Sequence, residues 1–169
     1  KDGNPGAANA FLYGGFWCGL LTLIGDITKG FLPVFAYMTF AFHAAPSGLE
    51  TAAVLAAPVI GHAFPLFFKG RGGKGIAVSF GCLLGLWPFW EPFAVLAASF
   101  ILFSVVIRIS PHYYRTIAAF AVSLAVLPFF LWNPGIWMGF ACITAVVTLR
   151  LLMSREEKSE LEVKPVWTH

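Results

Sequence analysis

Charge is what this chain has least of. Only 11% of its 169 residues are Asp, Glu, Lys or Arg, against roughly a quarter in an ordinary soluble domain. That shortage excludes a water-soluble globule, because 59% of the residues are hydrophobic, with 18 Phe and 6 Trp among them, and a chain this short cannot bury that much apolar surface. Metal-type cysteine spacing is also lacking. Cys18, Cys82 and Cys142 all fall within apolar runs and read as small buried hydrophobes. No GxxxxGK[ST] phosphate loop of a nucleotide enzyme is present, no signal peptide is visible, no internal repeat is convincing, and no Ser–His–Asp constellation is apparent. Nothing calls for a metal, a cofactor or a nucleic-acid partner. The chain begins with Lys1 rather than Met, so an N-terminal piece is expected upstream.

What is there predicts an all-α, polytopic transmembrane helix bundle, one domain over residues 1–169 with a short charged C-terminal tail. Six apolar stretches can be drawn, at about Ala10–Ala44, Leu49–Phe68, Ile76–Trp87, Phe93–Ile107, Thr116–Trp132 and Ile136–Met153. The first is long, and Gly25, Gly30 and Pro33 are expected to break it. The third is short enough for a half-helix or a tilted span. Orientation follows from the cations. Lys69, Arg71, Lys74, Arg108, Arg115, Arg155, Lys158 and Lys164 fall in alternate connections and the tail, with Arg150 close to the tail, whereas the connections at 45–50, 89–92 and 133–135 hold no Lys or Arg. That asymmetry puts the cation-bearing loops and the C-terminus in the cytoplasm, and Trp87, Trp90, Trp132 and Trp137 near the outer ends as an aromatic belt.

The segment Gly61–Gly75, GHAFPLFFKGRGGKG, carries the chemistry. An apolar run stops in a loop where four of six residues (GRGGKG) are glycine, which is costly in backbone entropy unless close approach or positive φ is needed. Exposed N–H groups and the cations Lys69, Arg71 and Lys74 together would suit an anion such as phosphate. The plainer alternative is an ordinary positively charged loop. His62 sits just before this loop, as a core histidine or as a group facing a cavity. The N-terminal KDGNPGAAN is a turn signal whose Asn4 and Asn9 can donate to phosphate or hydroxyl oxygens. Asp26 and Lys29 are three apart on one helix face, as a structural ion pair or as part of a substrate site. Arg108, His112 and Arg115 read as interfacial anchoring. The tail SREEKSELEVKP reads as a charged helix or a solvated end.

At the two glycine-rich loops the sequence resembles the bacterial integral-membrane acyl-phosphate-dependent glycerol-3-phosphate acyltransferases, the PlsY type. DGNPGAAN is similar to that family's SGNPGATN, and GHAFPLFFKGRGGKGIA to its GHxFPxFxxFxGGKGVAT. LTLIGDITKGFLPV resembles its Asp–Lys span. The matches run in order from residue 2 to about residue 80. The resemblance implies a seven-helix bundle whose first helix precedes the SGNPG-type loop, and so lies upstream of this chain. It implies transfer of a fatty acyl group from acyl phosphate to the 1-hydroxyl of glycerol 3-phosphate at the cytoplasmic side of the bacterial inner membrane, giving lysophosphatidate and phosphate. It assigns catalysis to Lys74 and His62, and binding of the two substrates to Gly3, Asn4, Gly6, Asn9, Arg71, Gly72, Gly73, Gly75, Thr116, Arg155 and Glu156. The partners implied are acyl phosphate, glycerol 3-phosphate and membrane lipid.

The chain departs from the pattern at Asp2 (family Ser), Ala8 (family Thr), Leu12 (family Arg), and at Ser154 and Glu157 within the RHRENI-like MSREEKS. Acyl-phosphate ligands are retained, whereas donors on the glycerol-phosphate side are depleted. A non-catalytic relative that binds acyl phosphate or phospholipid is therefore the alternative reading.

Overall fold

The computed structural model describes residues 6–41, 48–66, 72–154 and 161–164. Six α-helices are found among them: α1 (Ala7–Ala36), α2 (Gly48–Ala63), α3 (Ile76–Leu84), α4 (Glu91–Ile101), α5 (His112–Val126) and α6 (Pro134–Met153). Each answers to one of the six apolar stretches. π-helical turns extend α1 through Tyr37–Ala41 and α4 through Leu102–Val106. Two helical segments, Ala7–Phe40 and Pro134–Met153, are long and apolar enough to cross a bilayer by themselves. The nine residues of α3 rise about 14 Å, roughly half of a hydrocarbon core, so the third stretch is a half-helix.

The expected breaks at Gly25, Gly30 and Pro33 do not occur. α1 runs through all three, and its one departure from helical geometry is at Gly15, with φ 79° and ψ −179°, a conformation open essentially to glycine alone. Gly30 is small for packing: a Cβ there would overlap the carbonyl oxygen of Val78 on α3. Pro33 lacks an N–H, but its own carbonyl accepts from the N–H of Tyr37 and the ladder resumes. At the other end of the chain, Asn133 caps α6 by accepting from the Ile136 N–H at 3.1 Å, with Pro134 in the first turn.

Glycines set the two closest helix pairs. Gly81 faces the Ile27 carbonyl and Gly85 faces Phe31 and Val34, so α3 lies parallel to α1 at backbone contact. Gly81 and Gly85 are four apart, the small-xxx-small arrangement that lets membrane helices approach. Gly139 lies against Ala52 and Leu55, while Val59 and Val147 both flank Gly75, which makes α2 and α6 parallel. α4 and α5 run antiparallel, with the Ser99 and Ser123 hydroxyls 2.9 Å apart and Phe100 edge-on to Phe120. The Trp137 indole donates to the Leu124 carbonyl at 3.2 Å, so α5 and α6 are antiparallel as well.

These directions gather the starts of α3 and α5 and the ends of α2 and α6 at one end of the bundle, together with Lys74, Arg115 and Arg150, and α1 meets that end part-way along its length, at Asp26. A two-residue ladder pairs β1 (Ile109–Ser110) with β2 (Glu162–Val163) and ties the tail to that end. Residues 161–164 are thus an exposed strand segment, not the charged helix that the tail allowed.

The core is formed by Leu55, Val59, Val78, Leu83, Phe120, Phe140, Ile143 and Val147, all fully or almost fully buried. The outer surface is apolar too, with Leu12, Trp17, Leu21, Phe40, Phe129 and Trp132 exposed. The buried line of α1 is Gly19, Asp26, Gly30 and Val34. A helix that turns small and charged residues inward and large apolar ones outward is built for lipid.

Candidate active site

Asp26 anchors the site. It is the one charged residue buried among those described, and its Oδ1 lies 2.5 Å from Lys29 Nζ one helical turn on. A carboxylate inside an apolar bundle requires such a partner. The same oxygen faces Nδ1 of His62, on the last turn of α2, at 3.7 Å. The His62 side chain is 7% exposed. Its backbone carbonyl accepts from the Gly73 N–H at 3.2 Å.

This geometry explains two of the loop glycines differently from the sequence. A Cβ on Gly73 would strike the His62 imidazole at Nε2, and a Cβ on Gly72 would strike the His62 and Ala63 carbonyls. Both residues are glycine because the end of α2 lies against them. Of Gly72, Gly73 and Gly75, only Gly75 has a positive φ, 83°, and there the backbone turns into α3. The expectation of consecutive outward N–H groups also fails at Gly73, whose N–H is consumed by His62.

The other side of the loop is held by Arg150, on the last turn of α6. Its Nε donates to the Gly73 carbonyl at 3.3 Å, its terminal nitrogen donates to the Gly72 carbonyl, and the guanidinium lies over the Phe64 ring, 5.5 Å from the centroid. Lys74 follows, half-buried, just before the N-terminus of α3, where the helix dipole also favours an anion. Ser79 Oγ donates to the Gly75 carbonyl at 2.8 Å and fixes the first turn of α3. The result is a knot at the junction of α1, α2, α3 and α6: Lys29 and His62 meet the buried Asp26 carboxylate, and His62 and Arg150 hold the loop that carries Lys74.

Of the residues expected from the sequence, the structure joins His62, Gly72, Gly73, Lys74 and Gly75. Gly6 and Asn9 lie at the start of α1, half-buried, 20 and 17 residues before Asp26. Thr116 is fully buried in α5, and its hydroxyl donates to the His112 carbonyl of its own helix at 2.9 Å. Gly3, Asn4, Arg71, Arg155 and Glu156 lie outside the described residues. Arg115 pairs with His112, one turn earlier on α5, at 2.8 Å. An apolar groove of about 560 Å³ between α4 and α5, lined by Val95, Ala98, Leu102 and Val126 among others, shares no residue with the knot.

The model of the family described as glycerol-3-phosphate acyltransferase matches residues 1–160. The chain belongs to the glycerol-3-phosphate acyltransferase family. It is 36% identical to the glycerol-3-phosphate acyltransferase of Pseudomonas paraeruginosa over 150 residues, 88% of this chain and 74% of that one. To the enzyme of that name from Laribacter hongkongensis it is 35% identical over 151 residues, 88% of this chain and 71% of the relative. Two crystal structures of PlsY, an integral membrane glycerol 3-phosphate acyltransferase, share the fold. The lysophosphatidic acid form superposes with TM-score 0.66 at 25% identity, over 87% of this chain and 71% of that one. The glycerol 3-phosphate form gives 0.68 at 24%, over 90% and 73%. As a glycerol-3-phosphate acyltransferase family member, the chain is an integral-membrane helix bundle of the acyltransferase class, as the apolar stretches and the two loops led us to expect.

Arg150 is the site residue that sequence reasoning missed. It was grouped with the tail as one more inside cation. The available signal was its place within the apolar run of α6, a turn short of its end, where a charge needs a partner as much as Asp26 and Lys29 do.

Proposed function

We propose that this protein moves a fatty acyl group from acyl phosphate to the 1-hydroxyl of glycerol 3-phosphate, releasing lysophosphatidate and inorganic phosphate. The observation that carries the reading is Lys74, held at the start of α3 by a loop fastened on one side to His62 and on the other to Arg150. Lys74 binds the phosphate of the donor. The acceptor hydroxyl oxygen attacks the acyl carbon, the bond from that carbon to the phosphate oxygen breaks, and phosphate leaves with the electron pair. The hydroxyl proton passes to a phosphate oxygen. The mixed anhydride is already activated, so positioning two anions and stabilising the departing one supplies much of the rate. No protein nucleophile is required.

In this scheme His62 acts from beneath the loop, as a positioning residue. Gly3, Asn4, Gly6 and Asn9 bind phosphate from the N-terminal loop together with Arg71, and Arg155 and Glu156 serve the acceptor, whereas Thr116, sealed in α5 with its hydroxyl given to the His112 carbonyl, is a structural residue and not the substrate ligand expected from the sequence. The whole chain works as one membrane unit of the bacterial inner membrane with this end in the cytoplasm, because the loop cations gather there.

Asp2, Leu12, Ser154 and Glu157, which stand where the family motifs carry other residues, favour a second reading: a relative that binds acyl phosphate or phospholipid without transfer. Purified protein incubated with palmitoyl phosphate separates the two. Phosphate release that depends on added glycerol 3-phosphate is the result expected of the enzyme. Saturable binding of palmitoyl phosphate with no release supports the non-catalytic relative.

A further inference from the structure

Arg150 lends both carbonyl-directed donors to the loop and none of its described contacts reaches outward. Its Nε meets the Gly73 oxygen, its terminal nitrogen the Gly72 oxygen, and its flat face the Phe64 ring. The fork of a guanidinium suits two adjacent acceptors in a way an ammonium does not. In a trans peptide the carbonyl and the following N–H point in opposite directions. Drawing the Gly72 and Gly73 carbonyls towards α6 therefore turns the N–H groups of Gly73 and Lys74 the other way. The first of these reaches the His62 carbonyl. Arg150 thus holds the Gly72–Gly73 and Gly73–Lys74 peptide units from one side and His62 holds the first of them from the other, with Lys74 the next residue.

We infer that Arg150 is a positioning residue: it orients the Gly72–Gly73 peptides so that Lys74 is presented to the substrate phosphate, and it does not itself bind substrate. This rests on the transfer reaction proposed above for the role of Lys74, but the grip on the loop is independent of it. The charge sits on α6, so the reactive loop is set by the seating of α6 on α2 rather than by local sequence alone.

The test uses the full chain in detergent, with two variants, Arg150→Ala and Arg150→Lys, and two readouts. The first is limited trypsin cleavage after Lys74, followed by mass spectrometry. Release of the loop is expected to accelerate it about tenfold or more in Arg150→Ala, charge-assisted hydrogen bonds being among the stronger ones. Arg150→Lys keeps the charge but not the fork, and is expected to fall nearer to Ala than to the native protein. The second is a double-mutant cycle on kcat/KM with Lys74→Ala. Arg150→Ala is expected to lower kcat/KM by about tenfold or more, and the double variant to match Lys74→Ala alone within about threefold.

An unchanged cleavage rate overturns the inference. So do multiplying losses in the cycle, which would put Arg150 on the substrate directly. Should Arg150→Ala fail to fold, Arg150→Lys carries both readouts. Should the native protein show no transfer, the proposed function fails, and the cleavage readout alone decides whether Arg150 holds the loop.

Discussion

The imidazole of His62 lies directly beneath Gly73, so close that a methyl group on Gly73 would overlap Nε2, while the His62 carbonyl accepts the Gly73 N–H at 3.2 Å. Side chain and main chain of one residue thus fix the height and the direction of the loop. Gly73→Ala should lower transfer by about tenfold or more and destabilise the protein by about 1–3 kcal/mol, the usual cost of overpacking. In Gly73→Ala/His62→Ala the clash is gone, so the combined loss should be smaller than the product of the single losses. Thermal unfolding and kcat/KM of the three variants check this.

Asp26 holds Lys29 and His62 with one carboxylate. Asp26→Asn removes the charge but keeps the volume, leaving Lys29 unpaired on α1. Because the Lys29 side chain is 46% exposed, water makes up part of the loss, and a cost of about 1–2 kcal/mol is expected rather than the larger figure for a sealed ion pair. Glu50→Gln, at the exposed start of α2, should cost almost nothing. Melting midpoints in the same detergent compare the two.

Gly81 carries the contact between α3 and α1, its Cα facing the Ile27 carbonyl. Backbone cannot retreat as a side-chain tip can, so Gly81→Ala should destabilise by about 1–3 kcal/mol. Gly25→Ala, where a Cβ would meet open space, should be neutral or slightly stabilising through helix propensity. A larger effect at Gly25 than at Gly81 would contradict the packing described for these helices.

The cation-bearing end is expected in the cytoplasm. After replacement of Cys18, Cys82 and Cys142 by Ala, cysteine at Glu50 should react with an impermeant thiol reagent applied to intact cells. Cysteine at Lys164, exposed on the opposite end of the bundle, should react only after the cells are opened. The reverse pattern would invert the orientation.

The helices were legible because their apolar runs end at Pro, Gly and charge. Gly25, Gly30 and Pro33 misled because sequence does not distinguish a small residue that breaks a helix from one that admits a neighbouring backbone. Gly30 is the second kind, and Val78 on α3, distant in sequence, makes it so. The loop was legible as a place but not as a mechanism. Gly72 and Gly73 were read as freeing the backbone, whereas they make room for His62. Arg150 was missed because its partners, the Gly72 and Gly73 carbonyls, carry no side-chain signature and lie 78 and 77 residues away.

The central claim is that Lys74 holds the donor phosphate during acyl transfer. The most direct measurement is lysophosphatidate formed from palmitoyl phosphate and glycerol 3-phosphate by purified native protein, Lys74→Ala and Lys164→Ala, the last altering an exposed cation of the tail. A charge-assisted contact of roughly 1.5–3 kcal/mol predicts a loss of about tenfold or more in Lys74→Ala, with Lys164→Ala close to native and all three proteins equally folded. Native-level lysophosphatidate formation by Lys74→Ala would contradict the account.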